Sequence, residues 1–548
     1  MDAFMAHRPS AVLVIAGVAV AALAATGGET APGRDTIAAS ELRRDVFQLA
    51  SDEMGGRLVG TAGNRLAAEF IAQRFDALGL IPIGDEGGYF HNFDLVVASL
   101  GRSNRFEAHV DSSDVRAELG DDFYPERFSG SGRAKGSLAF VGFGISAPSL
   151  DHDDYGTFDV SDRVVVVLDH EPGETEKDSV FDGLFRSEHA RGVRKALEAQ
   201  RRGASAVLFV SDLHNHSVPS SVQGEMDEVW SPRLPRVPPY QLGAWVSDIR
   251  IPAVRISVDL AKRLFGGGGL SLVELSEMAE ADGGMSPVER TDVFVDVTAA
   301  VERELVPEKN VVGLIEGTDP ELRDEWVVLC AHYDHEGTTN RGIFRGADDD
   351  ASGVAGLLEI AEAYARASDR GKRPRRSILF AAWNAEELGL LGAWAYTARP
   401  LRDLDDTVAV INLDMIGRHE EIPENAGSRF RGLTPQTADS NRNAVNLLGY
   451  SYSTDLRRAV VAANLDTALD LRFRYDDNRS NLLRRSDHWP FLFSGVPAVF
   501  VHTGLHPDYH TERDDADKLD YAKMTRVVGL AHQLSWDLAQ SDSRPALN

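Results

Sequence analysis

The sequence predicts an α/β protein: a mixed, largely parallel sheet flanked by helices, with a smaller β-rich unit inserted into it. Three observations carry that expectation. Four continuous apolar runs, WVVLC (Trp326 to Cys330), SILFAAW (Ser377 to Trp383), VAVINL (Val408 to Leu413) and PAVFVH (Pro497 to His502), read as strands covered on both faces. Between the first two lies ASGVAGLLEIAEAYARA (Ala351 to Ala367), whose Val354, Leu357, Leu358, Ala361 and Ala365 form one helical stripe. An earlier, separate set of short apolar runs indicates a second core, and 548 residues suffice for two to four domains of about 150 residues each.

The chain opens with MDAFMAHRPS and an uncharged run from Ala11 to Ala25, shorter than the ~20 apolar residues of a membrane helix. Arg8 before it and Ala22-Leu23-Ala24 near its end give residues 1–25 the pattern of a signal peptide. The expectation is an exported protein, periplasmic or secreted in a bacterial envelope, with no stable membrane insertion after signal removal.

Residues 35–133 follow as the N-terminal part of the main domain. Leu66, Phe70, Ile71, Phe75 and Leu78 recur at helical spacing, after the glycine-rich segment DEMGGRLVGTAGN (Asp52 to Asn64). Residues 134–270 form the insert, with strands expected at Ser137 to Gly144, Val164 to Leu168, Gly203 to Val210 and Ile251 to Ser257. Ser211 to Arg250 reads as a surface loop, and the stretch from Gly266 through the acidic run to Glu289 as a linker. The main domain resumes over 291–540.

Composition removes several classes of function. With 57 Lys+Arg against 85 Asp+Glu, the net charge is -28. Nucleic acid, whose binding rests on phosphate neutralisation, would meet net repulsion and is not expected as a partner unless a local basic patch escapes the bulk field. One cysteine, Cys330, allows neither an intramolecular disulfide nor a thiolate zinc cluster, so any metal must be held by His, Asp and Glu.

Such residues gather where the predicted strands end. AHYDHEG brings His332 and Asp334, GADDDASG three aspartates from Asp348, NAEELG the pair Glu386 and Glu387, NLDMIGR Asp414, and PDYHTERDD Tyr509 and His510. Ligands of open α/β sheets bind beyond the carboxyl ends of the strands, so five motifs converge on one rim. Alone, the aspartate run reads as an N-cap and the glutamate pair as first-turn acids. Together they would repel one another unless cations held them. Two histidines with several carboxylates suit zinc, and the number of donors is enough for two ions sharing a carboxylate, with one adjacent glutamate left as general base.

AHYDHEG, GADDDASG, NAEELG, NLDMIG and DYHT, in that order, resemble the dizinc aminopeptidases and carboxypeptidases of metallopeptidase family 28. The likeness runs from about Thr291 to Ala539 and more weakly through DEMGGRLVGTAGN; the insert is similar to a protease-associated domain. The resemblance implies a sheet of the zinc-peptidase type and two Zn²⁺ per chain. It implies that Asp348 bridges them, that His332 and Asp414 complete one site, and that Glu387 and His510 complete the other. Glu386 becomes general base and acid, Asp334 the acid that orients His332, and Tyr509 a hydroxyl donor to the oxyanion. Asp487 and His488 take a supporting place, with His335, His502 and His506 as rival ligands. The expected activity is zinc-dependent removal of N-terminal residues from peptide substrates. A carboxypeptidase, a one-zinc glutaminyl cyclase and a catalytically silent receptor-like relative are the alternatives; the carboxypeptidase would need cations such as Arg341, Arg345, Arg418 or Arg484.

Overall fold

The computed structural model describes residues 29–183, 185–216, 221–231, 237–267 and 269–548. The run read as a signal peptide lies outside the described residues. Among those described, no helix is long and apolar enough to cross a membrane.

The larger sheet orders its strands as Gln241–Leu242, Phe90–Leu100, Val301–Ile315, Ser377–Trp383, Trp326–His332, Thr407–Leu413, Ala498–His502, Ala444–Leu448 and Asp470–Phe473. Its centre, from Ser377–Trp383 to Ala498–His502, is parallel. These are the four apolar runs of the sequence, and every residue in them is buried. Strands buried on both faces need no polar alternation, which is why they read as unbroken hydrophobic stretches. Antiparallel pairs bring in the flanking strands, so the sheet is mixed.

Helices cover both faces. Ala39–Leu49, Ala62–Ala77, Gly353–Asp369 and Tyr521–Gln540 pack on one side, and Leu391–Ala398 and His488–Phe493 on the other. Gly353–Asp369 is buried almost all round, including Val354, Leu357, Leu358 and Ala361 of the predicted stripe. Phe380, fully buried in the sheet, meets Phe75 at 6.3 Å and Tyr364 at 6.0 Å between ring centroids. Phe380→Ala leaves a cavity between sheet and helices and is expected to cost about 3–5 kcal/mol. Chemical denaturation followed by tryptophan fluorescence measures it; an unchanged midpoint would show that this layer is not where stability resides.

A second sheet orders its strands as Ser113–Ala117, Arg105–Val110, Val288–Ala299, Gly132–Phe140, Val164–Leu168, Ala206–Val210, Ala253–Ile256 and Phe123–Pro125. It draws on residues from Arg105 to Ala299, more than the 134–270 expected of the insert. The difference has a cause: Arg105–Val110 and Val288–Ala299 alternate buried with exposed positions and carry charges on the outer face. The stretch read as a linker also contains the helix Leu272–Ala279, closed by a Ser271–Glu274 capping box, with Leu272, Leu275 and Ala279 buried under its acidic face. The stretch read as a surface loop holds the helices Val222–Val229 and Gly243–Val246.

The two sheets are joined by a long ribbon. Phe90–Leu100 and Val301–Ile315 pair antiparallel from Phe90 opposite Val311 to Leu100 opposite Val301. The chain leaves the ribbon for the second sheet close to where it rejoins it, Gly101 N donating to Ala300 O at 2.9 Å, and in between it also touches the larger sheet as the edge strand Gln241–Leu242, paired with Leu95 and Val96.

Candidate metal centre

Parallel register places the functional side chains. His332 ends its strand opposite Trp383, so Asn384 to Glu387 emerge beside it. Leu413 lies opposite Val501, which puts Asp414 and His502 on the same rim.

The aspartate run enters through Gly346 in left-handed conformation (φ 54°), followed by the turn Ala347–Ser352. Within that turn Asp349 (φ -106°, ψ 94°) and Asp350 (φ -128°, ψ 45°) are not helical, so three successive carboxylates point three ways. Asp348, expected to bridge, does not face the histidine cluster. Its Oδ1 accepts from Gly417 N at 2.6 Å and its Oδ2 lies 3.3 Å from His506 Nε2. Asp350 turns back, accepting from Gly353 N at 2.8 Å, Met415 N at 3.1 Å and His332 N at 3.3 Å. The carboxylate in the centre is that of Asp349, and the expectation is corrected by one residue. A sequence of three identical side chains carries no record of which way each peptide turns.

Asp349 has two sides. Its Oδ1 is 3.2 Å from His332 Nε2, which also has Asp414 Oδ1 at 3.8 Å and Glu386 Oε2 at 3.9 Å. Its Oδ2 is 3.0 Å from His510 Nε2, which has Glu387 Oε2 at 3.2 Å. His332, Asp414, Glu386, Glu387 and His510 are thus brought together as expected, with Asp349 in place of Asp348. Tetrahedral ligands at about 2.0–2.1 Å from an ion lie about 3.3 Å apart, close to these separations. His332 Nε2 is buried without a hydrogen-bond partner, and no lysine or arginine lies within ion-pair distance of Asp349, Glu386, Glu387 or Asp414 among the described residues. An orphaned imidazole nitrogen facing such carboxylates fits a divalent cation.

His335 also enters, with Nδ1 2.6 Å from Glu387 Oε1 and 3.9 Å from Asp349 Oδ2. His502 instead directs Nδ1 to Asp414 O at 3.0 Å, and His506 faces Asp348. Asp487 and His488 are buried, and His488 stacks on Phe500 at 4.9 Å. Tyr509 lies against the His510 ring with centroids 3.9 Å apart, and burial pushes its hydroxyl pKa up.

Asp334 does something other than expected. Its carboxylate is 3.8 Å from His332 Nδ1, too far for a hydrogen bond, and instead accepts Glu386 N at 3.0 Å and Glu387 N at 3.3 Å. It therefore positions both glutamates through their backbone. Burial pushes it up to about 6, with the Glu387 charge adding to this and His332 opposing it. Burial also raises Glu386, against the pull of His332.

The surrounding support was not visible in the motifs. Arg57, in the glycine-rich segment, is fully buried and donates to Leu49 O and Tyr333 O at 2.8 Å, Arg345 O at 2.7 Å and Gly346 O at 2.9 Å, tying the rim loops from below. Asp514 Oδ2 accepts from Asp348 N at 2.9 Å and Asp349 N at 3.1 Å. Asn384 is held by Asn310, Glu308 and Asn64. Arg57, Asn64, Asn384 and Asp514 stand inside the quoted motifs, but nothing in the spacing marked them as supports.

Asp349, Glu386, Glu387, Asp414, Tyr509 and His510 open on a cavity of about 290 Å³, whose wall includes Arg484 and Arg485. Arg484 pairs with Asp182 from the second sheet's domain. Arg345 pairs with Asp52 and Asp515, and Arg418 with Asp508, away from the cavity.

Residues 310–535 match the sequence profile described as Peptidase family M28. A probable glutamate carboxypeptidase of Arabidopsis thaliana is 23% identical over 476 residues, 84% of this chain and 61% of that protein. A probable zinc metalloprotease of Pyrenophora tritici-repentis is 30% identical over 261 residues, 42% of this chain and 52% of the relative. The chain thus spans between about half and three-fifths of the length of these relatives. Among solved structures, an aminopeptidase from Aneurinibacillus sp. strain AM-1 aligns at 16% identity over 93% of this chain and 96% of its own, with a TM-score of 0.44.

Proposed function

We propose, from the match of residues 310–535 to peptidase family M28, an exported, zinc-dependent exopeptidase that removes N-terminal residues from peptides. One observation carries the reading: the two oxygens of Asp349 face two separate sets of donors, with Glu386 beside them. His332 and Asp414 would hold one Zn²⁺, Glu387 and His510 a second, and Asp349 both, with His335 against the second set. Bound there, zinc supplies Lewis acidity toward a carbonyl oxygen and lowers the pKa of water toward neutrality.

The remaining chemistry falls to side chains of this protein. Glu386, raised by burial, takes a proton from the attacking water and returns it to the leaving amine. Tyr509, kept protonated by burial, donates toward the oxyanion. Asp334 fixes the backbone from which Glu386 and Glu387 project. A cavity of about 290 Å³ at the rim suits one terminal residue. Export rests on the Ala11 to Ala25 run.

A second reading has an observation of its own. Arg484 and Arg485 line the cavity and suit a substrate carboxylate, which favours a carboxypeptidase. Aminoacyl amides, N-acylated peptides and peptides blocked at the C-terminus separate the two. Turnover that requires an unblocked amine is expected. Turnover of N-acylated peptides with a requirement for a free carboxylate would overturn the N-terminal assignment and leave the zinc peptidase standing. Release of pyroglutamate from N-terminal glutamine would indicate the cyclase.

A further inference from the structure

We propose that His170, Glu174 and His216 form a separate site for one divalent transition-metal ion of the zinc class, in the domain built on the second sheet. The three share no residue with the rim described above, and the proposal does not depend on the activity assigned there. His170 lies just beyond the strand Val164–Leu168 and His216 beyond its parallel neighbour Ala206–Val210, so both leave the same end of the sheet. Glu174 follows on the loop from the first of these strands.

The donor atoms form a triangle. His170 Nδ1 is 2.9 Å from His216 Nε2 and 2.9 Å from Glu174 Oε2, while His216 Nε2 contacts Glu174 Oε1. Two ring nitrogens can direct at most one N–H each, so hydrogen bonds cannot satisfy all three edges. One edge is left with lone pairs facing, or two N–H groups opposed. A cation at the centre satisfies all three donors at once, and an N₂O set of two imidazoles and a carboxylate suits zinc. Ligand atoms around a tetrahedral ion stand about 3.3 Å apart, so the two 2.9 Å edges need to open by about 0.4 Å and the His216–Glu174 edge by more.

A second observation points the same way. The Glu174 side chain is 5% exposed, aimed into the triangle, and its Oε2 is buried without a properly oriented hydrogen bond. Arg186 Nε, 3.5 Å from Glu174 Oε2, is the competing cation; its side chain is 55% exposed and free to swing outward. The imidazoles are 22% and 36% exposed, which leaves an entry path and room for water as a fourth ligand.

An ion here would fasten two strand ends and the start of the loop that runs on to Asp182, the residue paired with Arg484 on the cavity wall. Its place is therefore structural. The test is zinc stoichiometry and affinity by elemental analysis and titration with Zn²⁺ alone, on the full chain. Asp349→Ala, which disables the rim, is expected to retain one tight zinc, and adding His170→Ala with His216→Ala to remove it. Glu174→Gln keeps the side chain's shape, so it decides the matter if the double histidine variant does not fold. It should weaken this zinc by more than the ~10–100-fold that loss of a merely supporting contact costs. Equal zinc content and affinity in Asp349→Ala with and without Glu174→Gln would overturn the proposal, whatever the rim binds.

Discussion

Glu386→Gln is expected to keep its metal and lose turnover by about 10²–10⁴-fold, the span typical of a lost general base. That is about 2.7–5.4 kcal/mol of transition-state stabilisation. Glutamine has the shape of glutamate and cannot accept the proton. The backbone N–H of residue 386 still reaches Asp334, and no arginine or lysine within ion-pair distance of the Glu386 carboxylate loses a partner. The donors around Asp349 do not include the lost charge, so zinc content should match the parent chain. The effect should fall on kcat with KM little changed, because the missing interaction matters only as the proton moves. Kinetics and metal analysis on one preparation decide it. A kcat within about threefold of the parent would place the base elsewhere.

The second large effect distinguishes two neighbouring aspartates. Asp349→Ala removes the one carboxylate among the described residues whose oxygens face both donor sets, and is expected to abolish zinc binding at the rim together with activity. Asp348→Ala should retain the metals and act on stability instead. It strips an acceptor from Gly417 N and leaves His506 facing a void, at about 1–3 kcal/mol for an unpaired buried group. Zinc content and melting temperature, measured side by side, read the two outcomes. Loss of zinc in Asp348→Ala with retention in Asp349→Ala would reverse the assignment.

What the sequence disclosed follows from how strongly each feature is written into local composition. The four central strands are apolar without interruption because both faces are covered, and parallel register then forces their ends, with His332, Glu386 and Asp414, to one rim. The aspartate run shows where this legibility stops. Composition places three carboxylates in the turn, but the dihedral angles at Asp349 and Asp350 choose the one that faces inward, and long-range contacts from Asp514 and Arg57 fix those angles. Asp334 presents the same limit, since a side chain two residues from His332 turned out to serve the backbone of Glu386 and Glu387. The strand Val288–Ala299 and the helix Leu272–Ala279 were hidden by charge on their outer faces.

The ribbon linking the two sheets has a mechanical consequence. Its strand Val301–Ile315 carries Glu308 and Asn310, whose side chains grip Asn384, two positions before Glu386. A displacement of the appended domain carried along that stem would reach the Glu386 segment through the hydrogen bonds at Asn384, without a direct contact between domain and rim.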